Sequence, residues 1–390
     1  MEINVLMLTD NNYISQMKVA MYSACKNTSS AIKIIFNILC DKQLNQVSRE
    51  RLTALQEIFS NIKVNFHEVD ENDFIYAKSD YRVPPISYYR LVSAKVLKAD
   101  KAIYLDADLI VEMDLMELFK IDIEDYYIAA VRDLYPVLHP NMALWYSENY
   151  NIKNFSDYVN AGVLLMNLKK MREDNIVDIF LNELKNKNLW VDQDIFNRVC
   201  SGKIYLLDWR FNHVCLFSDE EYEWNYKSNK NKNAKEILHF CGPDKPWENR
   251  FSKLAEHWWN IAKDALEENI YEDMYRTASI GYGFEKILEI AEKCKETETV
   301  IIVGYSDHGM VVQNALLRYG ITANIIFCDN NQKKRNLMLI DKKIYSPEEL
   351  SVKYKNALWV NVIQKYRNEI AAQLKELKIP ENHIVNYLFE

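Results

Sequence analysis

The chain has 390 residues, 49% hydrophobic and 27% charged, with 48 basic against 56 acidic side chains and a formal charge of −8. Length predicts two to three domains, and this composition excludes disorder as the main state, a fibrous chain and a general attraction to nucleic acid. Seven scattered cysteines with no C-x-x-C pair point to reduced thiols. The amino terminus lacks a basic stretch and no run of 18 apolar residues occurs, so the expectation is a cytoplasmic protein without a membrane span.

Ile3–Leu8 is an apolar run, interrupted only by Asn4 and ending in Thr9-Asp10-Asn11-Asn12, the pattern of a buried parallel strand entering a polar loop. A helix over 15–25, a strand over 33–39, a helix over 44–59 and a strand over 62–69 follow. Tyr88, Leu91, Val92 and Val96 then recur at helical spacing. Ala102–Leu105 is a short apolar strand that ends in Asp106-Ala107-Asp108. This alternation predicts an α/β fold with a doubly wound, mostly parallel sheet and right-handed crossovers. Ligands of such sheets lie outside the carboxyl ends of the strands, so Asp10 and Asp106-Ala107-Asp108 should converge.

Further strands are expected at 127–131 and 158–166, with helices at 169–186, 193–200 and 256–268, the last carrying Trp258 and Trp259. The basic run 228–235 reads as a solvated loop. A second βα pattern starts near residue 279. It comprises a helix over 283–294, a strand over 299–303 running into Gly304, a helix over 310–318 and a strand over 321–328 ending at Asp329. A strand over 357–362 and a helix over 369–377 complete it. The change of pattern after the acidic stretch 264–273 divides the chain into 1–273 and 274–390.

Asp106 and Asp108 occupy alternate positions on an extended chain, so both carboxylates face one way and can share a cation. Hard oxygen ligands suit Mg²⁺ or Mn²⁺, ions that bridge to a diphosphate. His239, at the end of the apolar run Ile237-Leu238-His239, would add a nitrogen and favour Mn²⁺. Gly242 lets backbone N–H groups approach a phosphate, and Lys245 supplies a point charge.

Six stretches carry a family resemblance: Leu8-Thr9-Asp10-Asn11-Asn12-Tyr13, Ser87-Tyr88-Tyr89-Arg90-Leu91, Tyr104-Leu105-Asp106-Ala107-Asp108, residues 158–168, Asp192-Gln193-Asp194-Ile195-Phe196-Asn197 and residues 239–247. In this order, they make the first ~270 residues resemble family 8 retaining glycosyltransferases of the GT-A fold, the group of bacterial lipopolysaccharide galactosyl- and glucosyltransferases. The resemblance implies a UDP-hexose donor and a glycan or glycolipid acceptor, with Mn²⁺ (or Mg²⁺) as cofactor. It implies Asp106, Asp108 and His239 as metal ligands, with Asp106 also reaching the ribose. Leu8, Asp10, Asn12 and Tyr13 would hold the uridine. Arg90, Asn160 and Asp192 would bind the donor sugar, with Asp133 near the hexose or the acceptor. Gly242 and Lys245 would hold the diphosphate. Gln193 would lie beneath the anomeric carbon, with Asp194 beside it in sequence. Peripheral contact with the inner face of the membrane and self-association through residues 274–390 complete the expected partners.

A retaining outcome needs either a covalent sugar intermediate or attack from the face of departure. Gln193 is a neutral amide and a poor nucleophile, which favours same-face attack with the departing UDP oxygen as base. A nucleotidyltransferase would need a glycine- and arginine-rich loop after the first strand, where this chain has Thr9-Asp10-Asn11-Asn12. A non-catalytic carbohydrate-binding protein would not require Asp106, Asp108 and His239 together. Residues 274–390 resemble small Rossmann-like domains. Gly304 and Gly309 fit the outer glycines of G-x-G-x-x-G and Asp329 stands where a ribose-binding acid would, but Ser306 replaces the middle glycine. A structural or partner-binding role is therefore expected there.

Overall fold

A computed structural model describes residues 1–77, 85–138, 158–185, 191–215, 235–242, 245–250, 252, 254–280, 284–294, 297–318, 321–335, 343–363 and 366–387. The basic run 228–235 lies outside them apart from Lys235. The chain divides into two compact units, residues 1–240 with 261–266, and residues 241–260 with 267–390.

In the first unit the strands are β1 (Glu2–Leu8), β2 (Lys33–Cys40), β3 (Ile62–Glu68), β4 (Lys101–Leu105), β5 (Leu109–Val111), β6 (Ile128–Arg132), β7 (Val159–Asn167), β8 (Ile204–Leu206), β9 (His213–Val214) and β10 (Ile237–His239). Seven form one sheet in the order β3-β2-β1-β4-β7-β6-β8. The β3-β2-β1-β4 half is parallel, as the alternation of strands and helices predicts. β7 runs antiparallel to both β4 and β6. Its start, not its end, therefore meets the carboxyl edge of β4. On one face Leu6, Leu39, Tyr104 and Leu164 pack against Tyr88, Leu91, Phe180 and Phe196. Each such fully buried side chain contributes about 1.5–3 kcal/mol, so this layer anchors the strand ends where ligands would bind.

A small sheet, β5-β10-β9, extends from the end of β4. β5 pairs antiparallel with β10 and places Leu109 opposite His239. The Phe240 N–H donates to the Asp108 carbonyl at 2.9 Å, extending that ladder to the acidic turn.

Three expected helices differ. The stretch 44–59 forms Gln46–Thr53 and Leu55–Ile58, with the Asn45 side chain accepting the Ser48 N–H and so delaying the start. Residues Pro85–Val92 form a 3₁₀ helix. The stretch 169–186 is broken by Asn175, a non-glycine residue at φ 52°.

The second unit contains β11 (Thr299–Val303), β12 (Asn324–Cys328), β13 (Leu358–Asn361) and β14 (Ile384–Asn386), all parallel, in the order β12-β11-β13-β14. Gly304 adopts φ 112°, where an added Cβ would also strike Ile363, and one on Gly309 would strike the Gly304 carbonyl. Ser306 accepts the Gly309 N–H at 3.3 Å as a helix cap. Asp329 accepts N–H groups from Tyr305 (3.0 Å) and Asn331 (2.8 Å), tying two loops together. Local packing and capping thus account for all four residues. The expected helix 256–268 is instead Ala255–Ala265 followed by Glu268–Ile280, and the latter runs across the 273/274 division. Among the described residues, no helix is long and apolar enough to cross a membrane.

Candidate active site

The carboxyl end of β1 and the stretch Leu8–Tyr13 that follows are local structure. Leu8 closes β1 beside Leu39 of β2. Asp10 accepts the Asn12 backbone N–H at 2.8 Å and the Asn12 amide at 3.1 Å, a self-contained turn. Tyr13 caps the helix Ile14–Asn27, its carbonyl accepting the Met17 N–H at 2.9 Å. Asp106 follows the adjacent parallel strand β4, so the two motifs open on the same sheet edge.

Asp106, Asp108 and His239 each offer one ligand atom within 4.8 Å of the others. His239 Nε2 lies 3.2 Å from Asp108 Oδ1 and 3.8 Å from Asp106 Oδ2. Two carboxylates and one imidazole make an O,O,N donor set that fits Mn²⁺ and accommodates Mg²⁺. Tyr104, one turn of strand earlier, donates its hydroxyl to Asp106 and fixes that carboxylate.

Three consecutive residues at the start of β7 connect this cluster to everything around it. The Asn160 side-chain oxygen accepts the Gly162 N–H at 2.9 Å and an Asn212 amide proton at 2.8 Å, while its own amide reaches Asp133 at 3.5 Å. Ala161 uses its backbone: its N–H donates to Gln193 Oε1 at 3.0 Å and its carbonyl accepts from Arg90 at 2.7 Å. Gly162 accepts the Asp106 N–H at 2.9 Å. A Cβ on Gly162 would fall 2.7 Å from His239 Nδ1 and closer still to Cε1, so the histidine ring occupies the space that glycine leaves.

Arg90 is buried against the Tyr104 ring, 4.6 Å from its centroid, and pairs with Asp192 at 2.6 Å and Asp106 at 3.4 Å. Those carboxylates and the ring raise its pKa against burial. Burial pushes the Asp192 carboxyl up to about 6, against the opposing pull of Arg90. Burial likewise raises Asp133, opposed by N–H donors from Tyr135 (2.9 Å), Gln193 (3.0 Å) and Asn160. Gln193 is held at both ends, its oxygen on Ala161 and its nitrogen on Asp133. Asp194 is fully buried and turned inward, accepting the Tyr158 hydroxyl at 2.6 Å and the Val191 N–H at 3.2 Å. Asn197 grips both backbone groups of Val159, at 2.7 and 2.8 Å, and so locks the helix Asp192–Val199 onto β7. Gly242, at φ 91°, and Lys245, 5.8 Å from the Trp247 ring centroid, belong to the second unit.

Asp192 gives a pH prediction. Its native pKa is raised, so its contribution to stability is full below the ordinary carboxylate value, about 4, and is lost as pH rises through about 6. The melting temperature of the wild type relative to Asp192→Asn should therefore fall between these pH values, followed by circular dichroism. A difference independent of pH would show that the carboxyl titrates alike in the folded and unfolded chain.

Comparison with known proteins gives the family and the fold. Residues 4–250 match the family described as Glycosyl transferase family 8. The chain belongs to that family. It is 34% identical over 272 residues to a putative glycosyltransferase of Haemophilus influenzae, covering 68% of this chain and 79% of the relative. It is 26% identical over 278 residues to a lipopolysaccharide 1,2-glucosyltransferase of Escherichia coli, covering 69% and 77%. The galactosyltransferase LgtC, solved with donor and acceptor sugar analogues, superimposes with a TM-score of 0.58 at 26% identity, over 70% of this chain and all of that one. The mixed, mostly parallel sheet is thus the GT-A fold expected of family 8.

Asp106, Asp108 and His239, and Arg90, Asp133, Asn160, Asp192 and Gln193 around them, meet in one unit. Sequence reasoning included Tyr104, Tyr158, Gly162 and Asn197 in its motifs without giving them a role, and missed Asn212. For Asn212 a signal existed: a lone amide among Trp209, Phe211 and His213, in a stretch too apolar to be a surface loop.

Proposed function

We propose that the protein is a metal-dependent, retaining hexosyltransferase that moves galactose or glucose from a UDP-sugar to a glycan or glycolipid acceptor in surface-polysaccharide synthesis. The convergence of Asp106, Asp108 and His239 beside the start of β7 carries this reading. The names of the lipopolysaccharide glucosyltransferase and of LgtC support a glucose or galactose donor. Mn²⁺ held by the three ligands would supply fixed positive charge for the diphosphate leaving group.

The protein's own groups orient the sugar. Arg90 and Asp192, locked together, present hydrogen-bonding groups to hexose hydroxyls, and Asn160 and Asp133 do so from the other side. Gln193, clamped between Ala161 and Asp133, presents a neutral amide that can polarise the anomeric centre without capturing it. The inward turn of Asp194 leaves it poorly placed as a nucleophile, which supports same-face attack. In that reaction the acceptor hydroxyl forms the new glycosidic bond as the old C–O bond breaks, and its proton passes to the departing phosphate oxygen.

The test needs no acceptor. With Mn²⁺ present, UDP-galactose or UDP-glucose should raise the melting temperature and be slowly hydrolysed, while chelation removes both effects. A thermal shift that survives chelation, with no hydrolysis of any UDP-sugar, would favour a non-catalytic sugar-binding protein.

A further inference from the structure

We infer that Asn212 is a positioning residue that fixes which nitrogen of His239 faces the metal ligands. The inference rests on Asp106, Asp108 and His239 forming a metal site. Asn212 is fully buried and its two amide ends touch two different groups, Asn160 at 2.8 Å and His239 Nδ1 at 2.9 Å.

The orientation of this chain of hydrogen bonds follows from one fixed point. A backbone N–H can only donate, so the Asn160 atom that receives the Gly162 N–H at 2.9 Å is its oxygen. The Asn212 atom facing that same oxygen must then be its NH₂ group. The other end of Asn212, facing His239 Nδ1, is therefore an oxygen, which only accepts. Nδ1 carries the proton, and Nε2 presents its lone pair toward Asp108 at 3.2 Å and Asp106 at 3.8 Å. A lone pair and two carboxylates aimed at one region repel each other until a cation lies between them. The chain thus holds the histidine ready to bind metal, and Gly162 fixes both the proton order and the space for the ring. Through Asn160 the same amide also links the metal side to the sugar side.

The experiment uses the full chain, free of metal, with ¹⁵N in its histidine rings, at alkaline pH where imidazole is neutral. The His239 signals are identified by their loss in His239→Gln. The expected spectrum shows protonated Nδ1 and bare Nε2; protonated Nε2 overturns the proposal. Mn²⁺ affinity, read from the electron paramagnetic resonance of free Mn²⁺, gives a second measurement. Asn212→Leu should weaken it by about 10–100-fold. Asn212→Asp keeps an acceptor for Nδ1 and should bind Mn²⁺ nearly as wild type, while raising the KM for the UDP-sugar through the lost contact to Asn160. Equal failure of both variants, with folding intact by circular dichroism, would mean that Asn212 only fills space and would sink the proposal. The expected tautomer in a wild type that binds no Mn²⁺ would uphold the role of Asn212 toward the ring and overturn the metal reading instead.

Discussion

Asp108→Asn should remove detectable sugar transfer at ordinary Mn²⁺ concentrations while leaving the fold in place. The Asp108 carboxylate lies 3.2 Å from His239 Nε2 and supplies one of two negative charges in the donor set. Asparagine keeps its shape and one oxygen but removes that charge, the main attraction for a divalent cation. Its backbone carbonyl accepts the Phe240 N–H at 2.9 Å, and the substitution leaves that bond in place. Circular dichroism should therefore be unchanged while Mn²⁺-dependent hydrolysis of the UDP-sugar disappears. Retention of a tenth or more of wild-type activity would remove Asp108 from the site.

Arg90→Met should cost both stability and donor binding. The guanidinium makes five contacts: Asp192 at 2.6 Å, Asp106 at 3.4 Å, the Ala161 carbonyl at 2.7 Å, the Ser87 carbonyl at 3.1 Å and the Tyr104 ring. Methionine fills the space but leaves Asp192 buried without its cation. Loss of one partner of a buried pair costs about 3–5 kcal/mol, so the urea midpoint should drop clearly at neutral pH. Arg90→Lys should rescue little, because one ammonium cannot reach these divergent acceptors together. A variant as stable as wild type would show that Arg90 and Asp192 contribute no net stability.

Long elements and the placing of Asp106 and Asp108 at a strand end were legible in the sequence; short elements and orientation were not. β1, β2, β4 and β11 announce themselves as mainly apolar runs of five to eight residues, and β3 as an alternation of apolar and polar residues. β5, β8 and β9 have two or three residues, too few for any period. The reversed direction of β7 leaves no mark either, since a strand buried on both faces reads the same both ways. Yet that reversal brings Asn160, Ala161 and Gly162 to the ligand edge. Asp106 and Asp108 could be placed from the end of β4 alone. Their histidine needed a motif, and Asn212, which touches that histidine, belongs to none. Residue types with intrinsic chemistry are visible in a sequence, whereas the partners that give a neutral amide its role are set by its neighbours in space.

The pairing of Leu109 with His239 also has a consequence in time. The two lie about 130 positions apart, so the ladder that delivers the proposed third ligand closes one of the longest loops in its unit. Contacts of such separation give nothing back until the chain entropy of the loop has been lost, which makes them slow to form. The β1-β2-β3 half can assemble from neighbours in sequence; β10 must wait for residues 112–236 to be in place. During synthesis Asp106 and Asp108 emerge long before His239, and an incomplete chain holds only part of the proposed ligand set. A cation that binds the closed ladder and not the open one would pull this last step to completion, so metal supply would act on the yield of folded protein as well as on turnover.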